Sequence, residues 1–300
     1  MQPMSAILDL PPALIFGTSD AAINRAAGSV GASGLRIGAT LPIDEAQPRL
    51  DLQGRTSAVW VDVDRDCGGP MDALLGRMAG DVRDGRYAAV VSTTADVLDA
   101  LAARVDEPRV EMLVNADDAQ RTSALATSLA SHLIPTRSGD VASDKNAERL
   151  RQLSEEVSRT ASTLARLSSG PVPASQSAQP STSGDIPALA ADTVRHVLRA
   201  RRLRARYFPE ELFADPAWDM MLDLLQAEIA QLRVPVSSLC IAAAVPATTA
   251  LRWLKTLVAQ GVFLRRADPH DGRRVFVELA PDTSNALRRY FAEVGQVAVI

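Results

Sequence analysis

The spacing of apolar residues changes at Gly261, and this change constrains the fold of the last hundred residues more than any other feature. Residues 236–244 and 247–260 predict two short helices in close succession, the second with its apolar side chains inward. After the glycine, residues 262–266 and Val275–Leu279 alternate with a period of two, which predicts two strands. The polar segment between the strands predicts a hairpin, so we expect two helices followed by a β-hairpin.

Two short helices joined by a tight turn are the helix-turn-helix layout, in which the second helix enters the major groove of DNA. Thr248, Thr249 and Arg252 are predicted to face base edges there, and Arg252 can bond a guanine through two donors. The hairpin is predicted to be a wing that reaches phosphates or the minor groove. Phosphate contacts are predicted for the other polar and basic side chains expected on this face, namely Ser237, Ser238, Lys255, Arg265, Arg266 and Arg274.

The order of motifs in residues 249–279 resembles the core of the MarR family of winged-helix transcription regulators, and the resemblance covers roughly residues 215–290. That family has a recognition helix ending in Leu-x-x-x-Gly, a basic strand, an Asp-Pro-x-Asp-x-Arg wing and an apolar strand ending in leucine. The matching residues are Leu257, Gly261, Arg265, Arg266, Asp268, Pro269, Asp271, Arg273 and Leu279. The resemblance implies that Asp271 orients Arg273 and that Arg273 reaches the minor groove.

Short apolar runs alternate with helical patterns over residues 11–134, which predicts a parallel sheet covered by helices on both faces. The pattern resembles a flavodoxin-like response-regulator receiver domain. In that family an aspartate ending the third strand accepts a phosphoryl group, and here Asp62 or Asp64 ends that strand. The fifth strand ends in Asn115 without the family's lysine. The resemblance therefore implies a degenerate pseudo-receiver that serves dimerisation or protein contact, with phosphorylation of Asp62 or Asp64 as the alternative.

Residues 143–168 predict a coiled-coil helix that joins two chains, because apolar side chains alternate three and four positions apart. The predicted seam consists of Leu150, Leu153, Val157, Leu164 and Leu167. A surface helix packed on its own domain is the alternative. Residues 169–185 are rich in serine, proline and glycine, which predicts a flexible linker.

Charge is distributed unevenly along a chain whose net charge is −4. Residues 1–140 carry 12 basic and 19 acidic side chains, whereas residues 186–300 carry 15 basic and 12 acidic ones. Only the second region is expected to meet a polyanion. The arginine-rich run 195–206 fits either a phosphate-contacting helix or the charged face of an amphipathic helix.

The sequence thus predicts a pseudo-receiver α/β domain at 11–140, a coiled-coil helix at 143–168, a linker at 169–185 and an α+β winged-helix domain at 186–300. We expect a homodimeric, cytoplasmic, sequence-specific regulator of transcription that binds double-stranded DNA. It is expected to be no enzyme, to need no cofactor or metal, and to have no membrane segment. The alternatives are a phosphoryl- or nucleotide-binding enzyme that uses the α/β domain, and a scaffold whose α/β domain recruits a protein partner.

Overall fold

The computed structural model describes residues 10–133, 188–207, 214–272 and 274–294. The predicted coiled coil, the predicted linker and Arg273 lie outside the described residues. Within the described ranges, no single helix combines the length and the apolar composition of a membrane span. Two consecutive helices joined at a bend, Val236–Ala242 and Ala247–Ala259, together match a span in length and composition only.

The first part of the chain folds around a five-stranded parallel sheet, as the alternating pattern predicts. Its strand order, β2-β1-β3-β4-β5, is one of the common orders of doubly wound sheets. The two outer strands, β2 and β5, form the sheet edges. The strands are β1 Ala13–Gly17, β2 Ile37–Pro42, β3 Ala58–Val63, β4 Ala88–Thr93 and β5 Glu111–Val114.

Helices cover both faces of this sheet, so its central strands β1, β3 and β4 are buried and apolar almost throughout. On one face, α1 and α5 pack around Ile15 and Trp60. On the other face, α3 and α4 pack against Phe16 and Val61. The short helix α2 is not predicted by the sequence pattern. The helices are α1 Asp20–Ala32, α2 Ala46–Asp51, α3 Gly69–Arg83, α4 Leu98–Arg104 and α5 Asp118–Leu133.

The described residues from 188 to 294 form five helices and a small antiparallel sheet of order β6-β8-β7. The change of period at Gly261 is confirmed: the glycine has a φ of +71° just after a helix, and a strand begins two residues later. The two-residue strand β6 is not predicted. The elements are α6 Ala191–Leu203, α7 Pro216–Ile229, β6 Val234–Pro235, α8 Val236–Ala242, α9 Ala247–Ala259, β7 Phe263–Ala267, β8 Val275–Leu279 and α10 Pro281–Val294.

The arginine-rich helix α6 packs through its apolar face. Val194, Val197 and Leu198 are buried, and α6 lies against α7. Arg201 turns back to the protein, where its Nε donates to Asp219 Oδ1 at 2.7 Å. These contacts favour the amphipathic interpretation of the run over a phosphate-contacting one.

Asp62, at the carboxyl end of β3, is the most buried ion-paired carboxylate on the sheet, with 1% of its side chain exposed. Its Oδ1 accepts from Arg25 and its Oδ2 from Arg121, both at 2.7 Å, and Ser92 Oγ donates to Oδ2 at 2.5 Å. Arg25 lies on α1 and Arg121 on α5. The carboxylate therefore ties the two helices of one face to the central strand.

Removing the Asp62 carboxylate is expected to destabilise the fold strongly, because it leaves the buried guanidinium of Arg121 without its charge partner. We expect Asp62→Ala to lower the free energy of unfolding by about 3–5 kcal/mol, measured by urea denaturation. Asp51→Ala is the matched control: Asp51 pairs with Arg77 on the surface, with 67% of its side chain exposed, and such a pair contributes about 0–1 kcal/mol. Equal losses in the two variants would contradict this role of Asp62.

Candidate nucleic-acid interface

Helices α8 and α9 meet at the angle of a helix-turn-helix. Their axes are bent by 108° across the four residues that join them, within the range of about 90–120° for this motif. Ala244, in the turn, has a φ of +53°, which reverses the chain direction in few residues. The inner face of α9 is buried through Ala250, Leu251, Leu254 and Leu257. This burial leaves Thr248, Thr249, Arg252 and Lys255 on its outer face.

The hairpin β7–β8 forms a wing next to this outer face. The two strands pair in antiparallel register from Phe263↔Leu279 to Ala267↔Val275. Its connection is tightened by two backbone bonds, one from the Asp268 amide to the Arg274 carbonyl and one from the Arg274 amide to the Asp271 carbonyl. Arg265 of β7 and Lys255 of α9 line one cavity, so the wing strand and the outer face of α9 lie side by side.

Strand β5, at one edge of the α/β sheet, lies directly against the outer face of α9. The described residues form one compact unit, in which α9 packs against strand β5 and α8 packs against helix α4. At the N-terminal end of α9, Thr248 Oγ1 accepts a hydrogen bond from the Val114 amide at 3.1 Å. The N-terminal end of α9, the helix predicted to read bases, is therefore in contact with Val114, the last residue of β5.

We call residues 10–133 the α/β part and the described residues from 188 to 294 the winged part. Three carboxylates of the α/β part bind polar or basic groups of the winged part. Asp99 accepts from the Ser237 amide at 2.8 Å and from Ser237 Oγ at 2.6 Å. Glu111 accepts from Arg252 Nε at 2.9 Å, with a second bond from Arg252 Nη2. Asp106 pairs with Arg265, whose other terminal nitrogen donates to the Ala102 carbonyl.

Lys255 lies deepest in this contact. Its ammonium group donates to the Val110 carbonyl at 2.6 Å. Burial of the ammonium group lowers the pKa of Lys255 to about 8; the carboxylate of Glu111 opposes the shift, and the nearby Arg265 adds to it. The lysine is therefore costly to keep charged in this position.

Two cavities, both partly open to solvent, lie where the two parts meet. A cavity of about 460 Å³ lies between β5 and α9, lined by Glu111, Met112, Leu251 and Arg252 among others. A second one, of about 170 Å³, lies beside it. Exposed residues such as Thr256 and Gln260 line the first of them, whereas Leu101, Leu239 and Leu254 belong to one buried apolar cluster that includes both parts. The cavities therefore lie at the rim of the contact, and its interior is packed.

Four other described residues of the predicted DNA-contact set, Ser238, Thr249, Arg266 and Arg274, face solvent. Ser238 and Thr249 are exposed on α8 and α9. Arg266 pairs with Glu278 of the facing strand at 2.5 Å, and Arg274 lies 3.5 Å from the Asp271 carboxylate, both on the exposed wing. Apart from Asp271 on the wing and Arg273, which lies outside the described residues, the structure divides the predicted set in two. Ser237, Thr248, Arg252, Lys255 and Arg265 bond the α/β part, and Ser238, Thr249, Arg266 and Arg274 do not.

Sequence reasoning missed the groups on the α/β part that meet this surface, Asp99, Asp106 and Glu111. The only signal for them was the opposite charge of the two regions, which indicates attraction but no position. They lie 138 to 159 residues from their partners in the sequence, far beyond any local pattern.

The predicted phosphoacceptor position holds two aspartates with different surroundings. Both oxygens of Asp62 accept bonds from arginine, as described above. The half-buried Asp64 accepts from Thr18 Oγ1 at 2.7 Å and from Ser19 Oγ. Burial raises its pKa, but these hydroxyl bonds and the charge of Arg25 outweigh it, so the pKa of Asp64 lies below its usual value. In the described ranges, no three His, Cys, Asp or Glu side chains come together as a metal site would require.

Three solved structures are similar to about a third of the chain. BpsR of Bordetella bronchiseptica, described for the regulation of its DNA binding by 6-hydroxynicotinic acid, is 22% identical over 36% of this chain and 76% of its own, with a TM-score of 0.22. The transcriptional regulator Tm0710 of Thermotoga maritima is 19% identical over 35% and 79%, with a TM-score of 0.20. The adhesin competence repressor AdcR of Streptococcus pyogenes is 15% identical over 35% and 74%, with a TM-score of 0.22.

No protein-family model matches the sequence, and no curated protein is significantly similar to it. At TM-scores this low, similarity to the three solved structures carries no inference about function. The function therefore has to be argued from the geometry of the winged part and of the surface that covers it.

Replacing Lys255 with methionine is expected to stabilise the fold at neutral pH. The lysine's pKa is about 8 in the folded state against an ordinary 10.5, so between these values the unfolded state binds more protons. The stability of the wild type therefore rises with pH across that window, and below about pH 8 it bears the full cost of the buried charge. We expect Lys255→Met to raise Tm by about 2–4 °C at pH 7, and the gain to shrink by pH 10.

Thermal unfolding at pH 7 and pH 10 measures this difference, with Arg289→Met as the control. Arg289 is an exposed cation on α10, so its removal changes the net charge equally without relieving burial. A Tm gain for Lys255→Met that stays constant with pH, or a loss at pH 7, would show that the ammonium group is not the source of the cost.

Proposed function

We propose that the chain is a sequence-specific, DNA-binding regulator of transcription that acts as a homodimer. The observation that carries this proposal is the 108° crossing of α8 and α9 beside an arginine-bearing antiparallel hairpin. In this geometry α9 is the helix that enters the major groove, and the wing lies against the neighbouring backbone. Thr248, Thr249 and Arg252 then read base edges.

The wing is proposed to grip the minor groove through Arg273, oriented by Asp271. Arg265, Arg266, Arg274 and Lys255 supply cations for phosphates, and Ser237 and Ser238 donate hydroxyl bonds to them. These groups release counterions from DNA on binding, so the affinity should fall as salt rises. The proposal assigns no catalytic reaction to the chain.

The α/β part is proposed to be a receiver-like module that contacts protein rather than accepts phosphate. Its strand order supports the receiver-like assignment. A phosphoryl group on Asp62 would have to displace Arg25 or Arg121 from the carboxylate, because each oxygen already accepts from one of them. The bonds around Asp62 therefore favour a structural role for this residue over the enzyme alternative.

Arg273→Ala is expected to weaken DNA binding by about 1–3 kcal/mol, because the variant lacks the side chain proposed for the minor groove. Fluorescence anisotropy on fragments of the source genome, selected by footprinting, measures the loss. Arg289→Ala is the charge-matched control, since Arg289 is exposed on α10 and belongs to neither the proposed reading helix nor the wing. Equal affinities for both variants would refute the wing assignment, and binding no tighter than to bulk DNA would refute sequence-specific regulation.

Dimerisation is proposed to occur through the seam of Leu150, Leu153, Val157, Leu164 and Leu167. The double variant Leu153→Asp/Leu164→Asp should shift the protein from dimer to monomer, because a charge in an apolar coiled-coil seam is strongly unfavourable. Sedimentation velocity measures the state. Ser158→Asp, predicted to lie off the seam, is the control, and a variant that sediments as the wild type would contradict the coiled-coil proposal.

A further inference from the structure

The groups that cover the winged part are the kind that a DNA backbone presents. The α/β part offers the carboxylates of Asp99, Asp106 and Glu111 and the backbone carbonyls of Ala102 and Val110. We call these five groups the acidic edge. Each is a negatively charged or partly negative oxygen, as phosphate oxygens are. Their partners on the winged part are Ser237, Arg252, Lys255 and Arg265, all predicted independently to bind DNA.

We propose that the acidic edge is an internal competitor of DNA, so that the winged part binds either the edge or a duplex but never both. The described arrangement is then the closed, DNA-free state, and release of the α/β part is a required step of DNA binding. This inference rests on the proposed function and adds to it how DNA access is controlled.

Geometry makes the two partners mutually exclusive. A helix with its side chains is about 10–12 Å across, and the major groove of B-DNA is about 12 Å wide. Helix α9 can therefore enter the groove only if nothing else lies along its outer face. In the closed state Thr248 and Lys255, which lie two turns apart on that face, are bonded to Val114 and Val110 of the α/β part.

The contact has the features of one that opens. One charge of each ion pair remains in water, since 57% of the Arg252 side chain and 80% of that of Asp106 are exposed, while their partners Glu111 and Arg265 are mostly buried. Solvent therefore screens both pairs in part. Cavities partly open to solvent lie at the rim of the contact, beside β5 and α9. No described strand or helix is shared by the two parts, because their sheets are separate. Opening would therefore break side-chain contacts, among them buried apolar ones such as those of Leu101 and Leu239, and would leave every described regular element intact.

The competing explanation is that α9 covers the β5 edge permanently, as helices do where an exposed strand would aggregate. Two backbone amides distinguish the explanations without any DNA. The Val114 amide donates to Thr248 across the contact. The Ser237 amide belongs to the first turn of α8, where no partner exists within the helix, and it donates to Asp99. Both amides should exchange with solvent when the contact opens.

The test uses the full chain with Asp106→Asn/Glu111→Gln, which removes two carboxylates of the acidic edge but neither bond partner of the reporter amides. Asp44→Asn/Glu45→Gln is the matched control, since these exposed residues follow β2 at the opposite edge of the sheet. Hydrogen exchange reports the contact, and anisotropy titration on a footprinted fragment reports DNA affinity. A third measurement follows exchange of the Val114 amide in the wild type with saturating DNA.

We expect the edge variant to exchange faster at Val114 and Ser237 and to bind DNA about tenfold more tightly than the control, because a larger fraction of molecules is open. Saturating DNA should speed Val114 exchange in the wild type, as reciprocal coupling requires. Faster exchange in the variant with the control's DNA affinity would overturn the competition. Unchanged exchange would overturn the role of the acidic edge. If neither protein prefers any fragment over bulk DNA although exchange is faster, the proposed function itself has failed.

Discussion

The exposed edge of β5 is the constraint on which the rest of the arrangement depends. A parallel sheet of five strands leaves two edges with unpaired backbone groups, which would otherwise be open to pairing with another chain. Here the N-terminal end of α9 lies on the β5 edge, and the Val114 amide donates to a threonine hydroxyl instead of a sixth strand. The helix whose geometry fits a DNA groove is thus also the element that covers this edge.

Ion pairs and apolar packing both hold α8 and α9 against the α/β part. The α/β region is acidic and the winged region is basic, and their opposite charges meet at Asp99, Asp106 and Glu111. Exposed ion pairs contribute little to stability because water and salt screen them. In the proposed function, the same cations would bind the phosphates of a duplex instead. The contact thus combines a buried apolar interior with ion pairs at its rim, and the ion pairs are the component that salt and charge substitutions can weaken.

Within the α/β part, Asp62 lies where a receiver domain has its phosphoacceptor, but its carboxylate is paired with arginines. The end of the third strand holds an aspartate, as the receiver resemblance leads one to expect. Its oxygens, however, are bonded to Arg25 on α1 and Arg121 on α5. Two guanidinium groups on one buried carboxylate connect both helices to the sheet and leave neither oxygen without a donor. The arginines are remote in sequence, so only the fold brings them to this strand end.

The sequence by itself determined the parallel sheet, the closely spaced helices α8 and α9 and the hairpin after Gly261. Each of these follows from a local period of apolar residues and from glycine's tolerance of a positive φ. The sequence did not predict the short α2 or the two-residue β6, because segments this short do not show a recognisable period of apolar residues. Only the tertiary structure decided that Thr248, Arg252 and Lys255 lie against β5 rather than in open solvent. That contact joins residues more than 130 positions apart. The charges and the periodicity of the sequence indicate which groups can attract each other, but only the folded chain determines which of them come into contact.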